Sequence, residues 1–91
     1  MALQIEFDPA AIRELKKLDV QIAKRLLAFL HQRLSQLDDP RSLGQALKGS
    51  RLGEFWKYRV GDYRIIAQIQ DKRLLILVLR VGNRREVYRE G

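Results

Sequence analysis

The chain has 91 residues, 46% of them hydrophobic and 32% charged, with no cysteine and a single histidine. That length suits one domain, residues 1–91, with one modest core, and the missing thiols exclude disulfides, thiolate zinc sites and a cysteine nucleophile. A formal charge of +7, from 18 Lys and Arg against 11 Asp and Glu, directs attention to an anionic partner.

No apolar run approaches the roughly 20 residues of a membrane helix, and the opening "MALQIEFDPA" has no basic stretch followed by an apolar one. A cytoplasmic protein with no membrane partner, no metal and no cofactor is expected. The charge is uneven: residues 1–54 hold nine basic and seven acidic side chains, residues 55–91 nine basic and four acidic.

In chain order, Leu3 and Ile5 in "ALQIEF" read as a first strand. Asp8 and Pro9 then mark an N-cap and first helical position, where proline's missing N–H costs nothing. Ala11, Ile12, Leu15 and Leu18 recur at helical spacing and predict a buried stripe on a helix ending near Lys17 to Asp19. A second helix follows, its apolar side made of Val20, Ile22, Ala23, Leu26, Leu27, Leu30, Leu34 and Leu37. Lys24, Arg25, Gln32 and Arg33 fall on its outer side, and the two helices are expected to form an antiparallel hairpin. Pro40 disfavours helix at Asp39, and "LGQALKGSRLGE" is read as a bridging loop with room for one helical turn.

From Phe55 the period becomes two. "FWKYRV" and "YRIIAQI" flank Gly61-Asp62, a pair suited to a type II′ hairpin turn, and "LLILVLRV", apolar on both faces, reads as an interior strand. The terminal "NRREVYREG" fits a short strand or a helical turn. The expected fold is α+β: an N-terminal strand, a two-helix hairpin, then an antiparallel sheet of three to four strands with the helices packed on one face.

That hairpin sorts its side chains. If Gly61 and Asp62 are the central turn residues, Val60 pairs with Tyr63 and Arg59 with Arg64, and Lys57 projects from the same face as Arg59. Trp56, Tyr58, Val60, Tyr63, Ile65 and Ile69 take the core face. On the next strand Leu75, Leu77, Leu79 and Val81 are assigned to the core, which leaves Arg80 opposite. One exposed cation is ordinary surface. Four on adjoining strands, with like charges directly opposed, call for an anion or for intervening carboxylates, for which Asp62, Asp71 and Glu86 are the nearby candidates.

The segments "LKGSRLGEFWKYRVGDYRIIAQI" and "LLILVLRVGNRREVYR", with "F...A..EL.KL" near the N-terminus, resemble the RelE/ParE toxin superfamily of bacterial toxin–antitoxin systems. The resemblance spans nearly the whole chain and is specific in combination. It implies a RelE-like mRNA interferase that cuts messenger RNA in the ribosomal A site without paired histidines, the ribose 2′-hydroxyl attacking the phosphate and the 5′-hydroxyl leaving. Preorganised cations stabilise the charge that builds on the phosphoryl oxygens.

By resemblance, Arg64 and Arg84 hold the phosphate and transition state, Lys57 accepts the nucleophile's proton or stabilises its anion, and Tyr88 assists proton transfer or stacks on a base. Arg59, Arg80, Arg85 and Lys48 are the implied contacts to RNA or ribosome. Two departures thin the pattern: Phe55 stands where relatives of one type carry a further lysine, and Asn83 where many carry histidine. The implied partners are a RelB-like antitoxin, the ribosome and mRNA, with operator DNA reached only through the antitoxin complex. Two alternatives share these features: a ParE-like poison of DNA gyrase, and a non-catalytic module that binds nucleic acid or antitoxin. Trp56, Tyr58, Tyr63 and His31 are assigned structural or surface roles.

Overall fold

The computed structural model describes residues 3–46 and 55–83. β1 (Gln4–Phe7) leads into α1 (Pro9–Lys17) and α2 (Val20–Ala28), and β2 (Gln45–Ala46), β3 (Phe55–Val60), β4 (Tyr63–Gln70) and β5 (Leu75–Asn83) complete a sheet in the order β1-β5-β4-β3-β2. The α+β expectation holds, with one change of topology. β1 joins the sheet parallel to β5, so the sheet is mixed and has five strands among the described residues.

Local chemistry sets the helix starts. The Asp8 carboxylate accepts from the Ala10 N–H at 2.9 Å, and Asp19 caps α2 in the same way by accepting from Gln21 at 2.8 Å. The second helix is not uniform: a π turn over Phe29–Arg33 and a 3-10 turn over Leu34–Gln36 follow α2. Its buried line, Leu26, Leu30 and Leu34, is completely covered. Ile12 and Val20 depart from expectation, being 41% and 64% exposed. Ile12 follows Ala11, the α1 residue buried in the core, and Val20 opens α2 directly beside its cap.

The core lies between these helices and one face of the sheet, where Tyr58, Val60, Ile65, Ala67, Ile76, Val78 and Val81 meet Ala11, Leu26, Leu30 and Leu34. Of the four β5 residues assigned to this face, Val81 keeps its place, while the assignment of Leu75, Leu77 and Leu79 is corrected in favour of Ile76 and Val78. Ile66 pairs with Arg80 but Ala67 with Val78, so Leu79 is an extra residue on β5. Such a bulge inverts the alternation: Ile76 and Val78 face the core before it and Val81 after it. A strand apolar on both faces gives no sequence sign of where this happens.

The described part of the bridge, residues 43–46, is also more ordered than a loop. Asp39 caps a 3-10 turn, Pro40–Leu43, and β2 pairs antiparallel with β3. Gly44 makes the close approach possible, since a Cβ there would stand 2.7 Å from Tyr58 Cε1. Arg41 ties this end of the sheet together. Its guanidinium bonds Asp39 at 3.3 Å and Asp71 at 2.6 Å and lies over the Trp56 ring at 5.9 Å. Asp71, a candidate carboxylate for the basic face, is thus used elsewhere.

Candidate phosphate-binding site

The β3–β4 hairpin turns at Gly61, whose φ is 60°, while Asp62 keeps a negative φ. That is the type II′ pattern, and the register follows: Val60↔Tyr63, Arg59↔Arg64, Lys57↔Ile66. In an antiparallel ladder closed by a two-residue turn, the pair beside the turn exchanges hydrogen bonds and the next does not. Arg59 and Arg64 occupy that second pair, where Cα atoms approach to about 4.5 Å and side chains are closest.

Cross-strand partners share a face, so Lys57, Arg59, Arg64, Ile66, Arg80 and Gly82 lie opposite the core. Their environments differ. Arg59 is exposed and Lys57 half-buried. Arg64, expected on an open surface, is only 7% exposed. It sits on an interior strand between Arg59 and Gly82, and donates from Nη1 to the Tyr63 carbonyl at 3.3 Å. Among the described residues no carboxylate pairs with Arg59 or Arg64. A guanidinium withdrawn from water without a counter-charge is unfavourable, and an anion presented to this face removes the penalty while gaining a planar, multi-donor contact.

Arg80 is placed differently. β1 covers only the first part of β5, pairing through Phe7 with Val78, and α1 runs on beside the edge that β1 leaves. There Glu14 accepts from Arg80 Nε at 3.0 and 3.1 Å, from Arg80 Nη2 at 2.8 Å and from the Val81 backbone N–H at 3.0 Å. Among the described residues no strand continues along this edge past Phe7, and the carboxylate takes up the Val81 N–H there. Burial pushes the Glu14 carboxyl up, but the bonds from Arg80 and Val81 and the charges of Arg80 and Lys17 outweigh it, and the group is held below its ordinary value. Arg80 thus shares the basic face but is anchored by Glu14.

Glu14, Lys17, Leu18, Tyr63, Arg80, Val81, Gly82 and Asn83 line an open cleft of about 550 Å³ at this end of the sheet. Sequence reasoning missed Glu14. Its only signal was a lone acid on a helix face among Arg13, Lys16 and Lys17. Arg84, Arg85, Tyr88 and Lys48 lie outside the described residues. Tyr58, by contrast, is a core residue: it is 1% exposed, donates its hydroxyl to the Pro40 carbonyl at 3.0 Å, and burial pushes its phenol up to about 12. His31 is exposed, as expected. Among the described residues no group of His, Asp and Glu is arranged to hold a metal, and no helix is long and apolar enough to cross a membrane.

Residues 5–88 match the sequence model of a family described as the ParE toxin of the parDE type II toxin–antitoxin system. The chain is 32% identical over 89 residues to the toxin RelG of Mycobacterium tuberculosis, covering 98% of this chain and 99% of that one. It is likewise 32% identical over 93 residues to the mRNA interferase toxin RelE of Escherichia coli K12, covering 100% and 95%. Among solved structures it resembles the toxin–antitoxin complex RelBE2 of Mycobacterium tuberculosis, with a TM-score of 0.82, 28% identity, and coverage of 92% of this chain and 93% of that one.

Proposed function

The chain belongs to the RelE/ParE superfamily of type II toxin–antitoxin toxins, and from that premise we propose that it is a ribosome-dependent mRNA interferase. The observation that carries this reading is Arg64, almost wholly covered, opposed by Arg59 and without a carboxylate among the described residues. An arginine so placed suits the scissile phosphate, whose equatorial oxygens gain charge as the ribose 2′-oxygen adds.

In the proposed reaction the 2′-hydroxyl loses its proton and its oxygen bonds to phosphorus. The bond to the 5′-oxygen then breaks, leaving a 2′,3′-cyclic phosphate and, after protonation, a 5′-hydroxyl. Arg64 and Arg84 hold the phosphoryl oxygens. Lys57, on the same face and beside Ile66 across the hairpin, takes the nucleophile's proton or stabilises its anion, and Tyr88 serves proton transfer or base stacking. Arg59, Arg80, Arg85 and Lys48 contact RNA or ribosome, Arg80 while retaining its Glu14 anchor. A RelB-like antitoxin is the proposed silencing partner, and operator DNA is reached through that complex.

Expression of the wild type is expected to halt translation and leave breaks in mRNA at ribosome-occupied codons, and Arg64→Ala to relieve both. A gyrase-directed reading draws on the ParE description of the matching family. Intact mRNA beside gyrase-linked DNA damage, mapped in the same cells, establishes that reading instead.

A further inference from the structure

A third arginine comes to the hairpin tip from the helical layer. Arg25, exposed in the last turn of α2, lies against Gly61: a Cβ built on that glycine would meet its Nη2 at 3.2 Å, Nη1 at 3.3 Å and Cζ at 3.4 Å. Gly61 therefore answers two demands, a positive φ for the turn and an empty position that seats a guanidinium. Among the described residues no carboxylate pairs with Arg25. With a strand rise of about 3.3 Å per residue, the glycine is roughly 7 Å from Arg59 along the backbone, and Arg25 reaches it from the helical side of the sheet while Arg59 and Arg64 project from the other.

Resting on the interferase reading, we propose that Arg25 binds a backbone phosphate of single-stranded RNA adjacent to the phosphate held at Arg59 and Arg64. Two cationic positions joined around one turn suit a chain of successive phosphates better than an isolated anion. Because α2 carries Arg25 and the sheet carries the other two, the packing of helix on hairpin sets the spacing between them. The backbone contact supplies affinity and register without reading base identity.

The test is equilibrium binding of the purified protein to a 2′-O-methyl RNA oligonucleotide, which lacks the nucleophile, as a function of salt. Each phosphate contact to a single strand contributes about 0.7 to the slope of log affinity against log salt. Arg25→Gln is expected to lower the slope by about that amount, so that the loss of affinity between 50 and 200 mM salt shrinks about 2.6-fold. Arg25→Lys, which keeps the charge, is expected to retain the slope. Arg33→Gln, eight residues further along and so roughly 12 Å away at 1.5 Å per residue, is expected to leave it unchanged.

An unchanged slope in Arg25→Gln, while Arg59→Gln and Arg64→Gln lower it, overturns the role of Arg25 and leaves the interferase reading standing. No change in any of the three removes the RNA site itself. A lowered slope on a short RNA duplex but not on the single strand also overturns the proposal.

Discussion

Glu14 and Arg80, 66 residues apart in sequence, meet through a two-pronged contact, with the same carboxylate accepting the Val81 N–H. α1 is thereby joined to β5 where β1 no longer covers it. Both side chains keep partial exposure, 25% for Glu14 and 30% for Arg80, so solvent screening reduces the value of the pair.

Glu14→Gln is expected to destabilise the protein by about 1–2 kcal/mol, since it weakens the charge-assisted bonds that the carboxylate accepts from Arg80. Because the folded-state carboxyl lies below its unfolded value, this contribution is present above the unfolded pKa and is lost as pH falls through the folded one. Urea unfolding on the acid side of neutrality should show the variant losing less stability than the wild type. Equal acid sensitivity of the two proteins contradicts this.

Tyr58→Phe leaves the Pro40 carbonyl without its donor and is expected to cost about 1 kcal/mol in urea unfolding. The sign of the alkaline dependence follows from the raised phenol, pushed up to about 12. Stability holds below the unfolded value near 10 and falls as pH rises toward the folded one. Ultraviolet titration of the phenolate band is expected to lose the step at about 12 in the variant.

Gly44→Ala introduces a Cβ 2.7 Å from Tyr58 Cε1 and 3.1 Å from the Lys57 carbonyl. The ring is buried and held at its hydroxyl, so it has little freedom to yield. A cost of about 1–3 kcal/mol is expected, read as a lower denaturation midpoint. Combining Gly44→Ala with Tyr58→Phe should cost less than the sum of the two, because both loosen the same ring.

Arg59→Thr removes one of two like charges directly opposed across the hairpin and places a β-branched residue in a strand. Stability without RNA is expected to rise by about 0.5 kcal/mol at low salt, and the gain to shrink as salt screens the remaining charges. Activity in the mRNA-break assay should fall while stability rises, the trade expected where charge repulsion is kept for a ligand. A variant that is both less stable and fully active overturns this account of the pair.

Several features were legible because they depend on neighbours in the chain. The Asp8–Pro9 helix start, the Gly61-Asp62 turn and the opposition of Arg59 and Arg64 follow from capping chemistry, turn geometry and period-two alternation. Others were not. Ile12 and Val20 fit the helical stripes but lie at their margins, and "LLILVLRV" carries no polarity to mark the bulge that exchanges its faces. Two residues of the bridge became β2 because β3 offered an open edge and Gly44 allowed close passage.

The candidate site divides in the same way. Sequence by itself determined that Lys57, Arg59 and Arg64 share one face, because a two-residue turn and strand alternation leave no other register. Tertiary structure alone decided that Arg64 is nearly covered, that Glu14 holds Arg80, and that Arg25 rests on Gly61. Each depends on how elements distant in the chain pack, and a side chain's access to water is a property of that packing.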